Sequence, residues 1–249
     1  MSRYARALAS VYPVLFGGRK YSRSLLSLFG SSIVAYWPLW EASGSVAYDI
    51  SGNGRNGSYT GVTLGQPGIG DGHTCPQFDG ANDYANVYSA SLNTAFPRTA
   101  GSILMWAKVS AAGVWTDGTL RRLFDFFIDG NNFLILARTA TNNQMQLSYR
   151  ANGAATENII TSAYPLTTWL HLAGTWDSVA DEFKFYVNAN LIDTTTTIGG
   201  ALTGNLSSVQ AVLGATSTVP SGVWDGYLAH ALLLDRAATP AEIAMVASL

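Results

Sequence analysis

Short segments in which apolar and polar residues alternate recur from residue 33 to the end of the chain, and turn-forming residues separate them. Alternation with a period of two is the pattern of a β-strand with one buried face. Residues 122–128 and 133–138 flank the sequence Asp-Gly-Asn-Asn, which predicts a β-hairpin. A second hairpin is predicted at residues 183–192, and the more continuous apolar run at 102–109 predicts a strand buried on both sides over part of its length.

Helical signals are scarce along the chain. Thr239 followed by Pro240 matches a helix N-cap and first helical position, and predicts one short helix near the C-terminus. No repeat of fixed period is visible, which argues against a propeller or a solenoid. Two antiparallel sheets packed face to face would bury this many alternating strands, so the predicted fold class is all-β.

Five sequence motifs occur in an order typical of one family. They are the strand and Gly/Asn-rich loop at residues 36–57, the sequence Phe-Asp-Gly-Ala-Asn-Asp-Tyr at 78–84, Trp106 in an apolar strand, the Trp-x-His-x-Ala sequence at 169–173, and the strand and helix start at 226–242. Together they resemble the laminin G-like, concanavalin A-like jelly-roll family, from residue 33 to the C-terminus. The resemblance implies a two-sheet antiparallel jelly-roll sandwich with a short N-terminal extension and a C-terminal helical turn. It also implies binding of surfaces and sugars, because only a minority of such relatives carry out chemistry.

The resemblance raises the question of a calcium ion. Many relatives carry a structural calcium, and the family usually has an acidic residue at the position of Ala229 and a glycine at that of Ala189. Because calcium takes about six to eight oxygen ligands, usually including carboxylates, the missing acid removes one anchor. We therefore predict no cofactor, with calcium at Asp49 as the open alternative. In the other interpretation, Asp49 satisfies the backbone N–H groups of its own turn.

Charge is distributed unevenly between the first forty residues and the rest. The first forty hold five basic side chains and no acidic one, whereas the remaining 209 hold nine basic and sixteen acidic ones, a formal charge of −7. Two short apolar patches accompany the basic residues, and the sequence Gly-Ser-Ser at 30–32 predicts a joint. We predict that residues 1–32 form a basic arm that anchors the jelly-roll domain, residues 33–249, to partner chains. The residues expected to make these contacts are Arg3, Arg6, Arg19, Lys20, Arg23, Leu25, Leu26 and Phe29.

Nucleic acid is not a predicted partner, and no membrane span is predicted. Five charges spread over about twenty residues make a small footprint for a phosphate backbone. Pro13 interrupts the first apolar stretch, and the patch at residues 25–29 is too short to span a bilayer. The single Cys75 excludes an intrachain disulfide framework.

Catalytic constellations are missing from the sequence. Glucan-cleaving relatives carry a tight run of carboxylates on one strand, and no such run occurs here. Asp125 and Asp129 share a strand face but lie about 13 Å apart, too far for a pair of glycosidase carboxylates. The three histidines, His73, His171 and His230, are not spaced as metal ligands. We therefore predict that the protein is not an enzyme.

Aromatic residues in predicted loops are the candidates for ligand binding. Trp115, Tyr164 and Trp224 lie in or beside such loops, where they could stack on sugar rings or fill a partner's pocket. The alternative is that each belongs to a small hydrophobic cluster under its loop.

Three functions fit these observations. The predicted one is a non-enzymatic virion structural protein, a capsid or tail decoration or attachment component of a phage. Such a protein would assemble with itself and other virion proteins and contact host-surface glycans. This function is favoured because the fold belongs to extracellular surfaces, while the chain has no clear export signal and no disulfide. The alternatives are a secreted carbohydrate-binding or adhesion module, located extracellularly, and, less favoured, a glycoside hydrolase.

Overall fold

A computed structural model describes residues 20–140, 143–164 and 167–248. The chain in these ranges forms sixteen β-strands and three α-helices. The strands are β1 (Ile33–Trp37), β2 (Val46–Ala47), β3 (Gly57–Thr60), β4 (Thr63–Pro67), β5 (Thr74–Asp79), β6 (Tyr84–Asn86), β7 (Ala100–Val109), β8 (Arg121–Asp129), β9 (Asn132–Arg138), β10 (Met145–Arg150), β11 (Glu157–Ile160), β12 (Leu170–Asp177), β13 (Glu182–Val187), β14 (Asn190–Thr195), β15 (Ala211–Leu213) and β16 (Asp225–Leu234). The helices are α1 (Lys20–Phe29), α2 (Ala90–Ala95) and α3 (Pro240–Ala247).

The strands form two antiparallel sheets. Sheet A has the order β14-β13-β12-β7-β16-β5-β4, and β1 also pairs with β16. Sheet B has the order β11-β10-β9-β8-β15-β6-β3-β2. Neighbours such as β7 and β16 are distant in sequence, whereas β8 and β9 form the predicted hairpin. The topology confirms the predicted two-sheet jelly-roll sandwich.

The main hydrophobic core lies between the two sheets. Trp37, Phe126 and Trp176 are among its largest members, and each is fully buried. A Cβ on Gly101 would lie 2.3 Å from a ring carbon of Trp176, which is the cross-strand neighbour of Gly101. Only glycine leaves room for the indole at this point, which explains a glycine inside β7.

A second hydrophobic cluster covers the outer face of sheet A. Tyr21, Leu25 and Phe29 are four residues apart, so they lie on one face of α1. All three are at most 4% exposed. They pack in one cluster with strand residues of sheet A and with α3, and its larger members include Tyr36, Trp106, Leu232, Ile243 and Val246. The outer face of sheet A is therefore a protein interior and not a free surface.

This packing corrects the predicted role of the arm's apolar residues. The prediction that Leu25 and Phe29 contact partner chains is wrong, because both are buried in the chain's own second cluster. Leu26 is partly buried and packs against the same cluster. The physical reason is that sheet A presents large apolar side chains on its outer face, and α1 removes them from water.

Of the basic side chains predicted to anchor the arm, the structure describes that of Arg23. Arg23 lies on α1 and is exposed. Lys20 begins α1, but its side chain lies outside the described part of the structure, as do Arg3, Arg6 and Arg19. Anchoring by these basic residues stays a prediction.

The helix predicted near the C-terminus is present as α3. The Thr239 side chain accepts a hydrogen bond from Glu242 N, and the Glu242 carboxylate accepts one from Thr239 N at 2.8 Å, which completes a capping box. Arg236 donates to both carboxylate oxygens of Glu242 at 2.7 and 2.9 Å. These contacts fix α3 at the end of β16. Among the helices of the described ranges, none is both long and apolar enough to cross a membrane.

Candidate functional site

The aromatic residues predicted to bind a ligand are not exposed. Trp115 and Trp224 are 2% and 1% exposed and belong to the main core, so this prediction is wrong for both. The Trp224 indole N–H donates to Tyr227 O at 3.3 Å, so the polar atom of this buried side chain has a hydrogen-bond partner inside the sandwich. Tyr164 is half-buried and packs against the main core, so its predicted role is untested.

Asp49 shapes the loop that follows β2. Its Oδ1 accepts hydrogen bonds from Tyr36 N and Ser51 N at 2.9 Å each, and its Oδ2 accepts one from Arg55 N at 2.9 Å. These are the contacts of a turn-forming side chain, as in the second interpretation of the sequence. No group of three or more His, Cys, Asp or Glu side chains is placed to hold a metal ion in the ranges that the structure describes. The absence of a cofactor stays a prediction, and calcium at Asp49 stays the open alternative.

A surface groove lies where α1 meets the loops at the end of sheet A, and we call it the α1 groove. Ser22, Arg23 and Leu26 of α1 line one side, and the loop residues Trp40, Ile50 and His73 line the other. Its volume is about 390 Å³. The groove is open to solvent, and its lining is almost wholly apolar.

Backbone hydrogen bonds hold the loop side of the α1 groove in place. The Trp40 carbonyl accepts the Thr74 hydroxyl at 2.6 Å, which ties the segment after β1 to β5. Ile50 N donates to Tyr36 O at 2.9 Å. The rings of Trp40 and His73 are 4.3 Å apart and tilted by 37°. The segments that carry Trp40 and Ile50 are therefore held to β5 and β1 by hydrogen bonds. The rings of Trp40 and His73 form an aromatic wall of the groove.

A buried chain of polar contacts begins at Ser22, which lines the α1 groove. The Ser22 hydroxyl is 2.9 Å from the Tyr36 hydroxyl, which is 2.7 Å from His230 Nδ1. His230 Nε2 is 3.1 Å from Asp71 Oδ2. His230 adopts a left-handed backbone, with φ of 54°, in a bulge of β16, and its N–H donates to Pro38 O at 3.0 Å. The bulge is what turns the imidazole towards Tyr36 and Asp71.

Burial sets the protonation of this chain at neutral pH. Burial lowers the pKa of His230, although the nearby Asp71 opposes this effect. Burial raises the pKa of Tyr36 well above its usual value, so the phenol stays protonated. Burial also raises the pKa of Asp71, but hydrogen bonds from His230 and from the His73 backbone outweigh it and hold that pKa below its usual range. Asp71 is therefore ionised, while His230 is neutral.

The carboxylates considered for catalysis lie elsewhere. Asp125 is 3% exposed, and its Oδ2 is 3.7 Å from Arg122 Nε. Asp129 is exposed at the β8–β9 turn, where it accepts a hydrogen bond from Asn131 N at 2.7 Å. Neither residue lines the α1 groove.

The sequence singled out Arg23 and Leu26 as partner contacts, but it did not indicate that they line a groove with the other four residues. His73 and His230 were interpreted as scattered histidines, but His230 belongs to the chain that begins at Ser22 and His73 to the wall of the groove. Trp40 follows a predicted strand and was not singled out. No local spacing links these positions, because the topology of sheet A and the docking of α1 bring them together.

Comparison with known families supports the fold. A model of the concanavalin A-like lectin/glucanases superfamily, the laminin G type, matches residues 79–244. This match confirms the resemblance expected from the sequence. No curated protein matches the chain.

Several solved structures are similar to this chain. Domain 4 of an extracellular arabinanase from Geobacillus stearothermophilus, solved with arabinotriose, has a TM-score of 0.66 at 19% identity, over 87% of this chain and 98% of the domain. The binding domain of botulinum neurotoxin serotype D has a TM-score of 0.66 at 13% identity, over 88% of this chain and 52% of that one. Trypanosoma rangeli sialidase, solved with the inhibitor DANA, has a TM-score of 0.61 at 13% identity, over 86% of this chain and 32% of the sialidase. Identities this low show a shared fold alone.

Proposed function

The chain belongs to the concanavalin A-like lectin/glucanases superfamily, and on that basis we propose that it is a non-catalytic glycan-binding domain whose site is the α1 groove. The observation that carries this proposal is the aromatic wall of the groove. Trp40 and His73 present rings beside the apolar side chains of Ile50 and Leu26, and Ser22 and Arg23 of α1 lie opposite. Sugars bind to such surfaces because their C–H faces pack on aromatic rings while their hydroxyls form hydrogen bonds at the rim.

The fold and its relatives support a binding role. The arabinanase domain of similar fold was solved with arabinotriose, and the neurotoxin relative is named as a binding domain. The fold does not by itself decide between binding and catalysis. Binding without catalysis is favoured because no carboxylate lines the α1 groove among the described residues, whereas glycosidases need two.

Replacement of Trp40 tests the proposal. We expect Trp40→Ala to weaken glycan binding by about ten-fold or more, because stacking on one aromatic ring contributes about 1 kcal/mol or more. The measurement is a glycan array with the full chain, followed by titration calorimetry with the oligosaccharides that bind.

Tyr48→Ala is the matched control, since Tyr48 is 52% exposed and does not line the groove. Equal binding by the Trp40 and Tyr48 variants would contradict the placement of the site. Release of reducing ends from any bound oligosaccharide would contradict the non-catalytic role.

Display on a virus particle and secretion are the two settings proposed from the sequence. Both settings, and assembly with other virion proteins or with itself, stay predictions. Weak monomeric binding that strengthens in an oligomer fits both settings. Cross-linking of the purified chain would test self-association.

A further inference from the structure

Several polar groups of the residues that line the α1 groove are bonded within the protein. The Ser22 hydroxyl lies 2.9 Å from the Tyr36 hydroxyl. On the loop side, Ile50 N donates to Tyr36 O at 2.9 Å, and His73 N donates to Asp71 Oδ1 at 3.2 Å. These contacts turn polar atoms away from the groove, and the surface that lines it is almost wholly apolar.

An apolar lining discriminates between the substituents of a sugar. A hydroxyl group that packs against such a surface loses its water and finds no hydrogen-bond partner there, which costs free energy. A methyl group in the same place gains free energy, because it leaves water for an apolar contact. The lining therefore favours a sugar that has a methyl group where a common hexose has a hydroxymethyl group.

Leu26 and Ile50 are the side chains that suit a methyl group. Both are partly buried and pack against the second hydrophobic cluster, so a methyl group that contacts them extends this cluster. The other hydroxyl groups of the sugar ring can stay in water, because the groove is open to solvent. An acetamido or ester substituent also carries a methyl group, but it brings a carbonyl oxygen that needs a donor. The methyl group of a 6-deoxyhexose brings no polar atom.

We propose that the α1 groove recognises glycans that carry a 6-deoxyhexose, with the methyl group against Leu26 and Ile50 and the sugar ring beside Trp40. The inference rests on the proposed function and adds the class of sugar that the same site binds.

Paired sugars separate this inference from the proposed function. NMR titration of the full chain would compare the methyl α-glycosides of L-fucose and L-galactose, of D-fucose and D-galactose, and of L-rhamnose and L-mannose. The two members of each pair have the same configuration and differ in one hydroxyl group. In at least one pair we expect the 6-deoxy member to bind about ten-fold more tightly, because its partner must place that hydroxyl group against an apolar surface.

Two substitutions of Ile50 assign the preference to the groove. Ile50→Thr should bring the ratio of the two affinities close to one, because the threonine hydroxyl can form a hydrogen bond with the hydroxymethyl group of the hexose. Ile50→Val is the matched control and should keep the preference, since valine has the shape of threonine without its hydroxyl group. Circular dichroism and melting temperature check that both variants are folded.

Each outcome decides the matter. A 6-deoxy preference that is lost in Ile50→Thr and kept in Ile50→Val supports the inference. Equal or weaker binding of the 6-deoxy member in every pair, with binding that still depends on Trp40, overturns the inference and leaves the proposed function. A preference of the same size in both Ile50 variants overturns the assignment to the apolar lining. Absence of binding to these sugars and to every glycan of the array overturns both proposals.

Discussion

Several ionisable side chains of this sandwich are buried, and Asp125 and His171 are two that lack a well-placed polar partner. Asp125 is close only to Arg122 among the described charged residues, and His171 has no hydrogen-bond partner for either ring nitrogen in the same ranges. A buried group without a good partner resists its charged form, so its pKa in the folded chain differs from that in the unfolded chain. Each of these residues therefore makes the free energy of unfolding depend on pH.

Asp125→Asn should stabilise the fold at alkaline pH. Burial raises the pKa of Asp125 to about 7, although the nearby Arg122 opposes this effect. Because the folded pKa lies above the unfolded one, stability is fully present below a pH of about 4 and is lost as pH rises from about 4 through 7. The variant should melt a few degrees above the wild type at pH 8 and at about the same temperature at pH 4.

Thermal unfolding at both pH values measures the effect of Asp125→Asn. Asp129→Asn is the control, since Asp129 is exposed on the neighbouring turn. A variant that melts below the wild type at pH 8 would contradict the account.

His171→Leu should reduce the sensitivity of the fold to acid. Burial lowers the pKa of His171 to about 3. Below the unfolded pKa, the unfolded chain binds a proton that the folded chain rejects, so stability falls by up to about 1.4 kcal/mol per pH unit between pH 6 and 3. Urea unfolding from pH 7 to pH 4.5 should show a shallower decline in the variant than in the wild type. An equal decline in both proteins would rule out this role for His171.

At the scale of elements, α1 joins the fold to the candidate site. One face of the helix packs on the outer side of sheet A through Tyr21, Leu25 and Phe29, and the Tyr21 hydroxyl accepts the Trp106 indole N–H at 2.7 Å. The same helix provides Ser22 and Arg23 to the groove. Under the proposed function, docking of α1 and ligand binding are linked, because a ligand that contacts both sides stabilises the docked state.

Leu25→Ala should destabilise the chain and weaken binding. Removal of a buried leucine side chain costs about 2–5 kcal/mol, because a cavity remains. Leu25 is 2% exposed, whereas Ser27 is an exposed residue of the same helix. Ser27→Ala is therefore the control and should change stability by less than about 0.5 kcal/mol. If both variants unfold at the same urea concentration, α1 does not contribute to the stability of the fold.

Elements with local signals could be predicted from the sequence, and those that depend on docking could not. The β8–β9 hairpin and α3 carry their own turn and capping residues, such as Asp129 and Thr239, and both are confirmed. Leu25 and Phe29 were visible in the sequence as part of a short apolar patch, but the patch does not specify what it packs against. The choice between a partner chain and the chain's own sheet depends on the outer face of sheet A, which only the topology reveals.

At the scale of the whole molecule, the outer face of one sheet of the sandwich is covered by helices of the same chain. Sheet A is covered on its inner side by sheet B and on its outer side by α1 and α3. The α1 groove opens where this outer cover meets the loops after β1, β2 and β4. The jelly roll could be predicted because its strands alternate along the chain. The site could not, because Trp40, His73 and Ser22 converge from three separate segments.

Two-dimensional ¹H–¹⁵N spectra of the tryptophan indoles test the central claim most directly. The chain has seven tryptophans, of which Trp40 lines the groove, while Trp169 is half-buried and lies outside it. Titration with the oligosaccharides that bind on the glycan array should shift the Trp40 resonance, identified by Trp40→Phe, and leave that of Trp169 in place. A Trp40 resonance that does not move for any of them, or a shift confined to Trp169, would contradict glycan binding in the α1 groove.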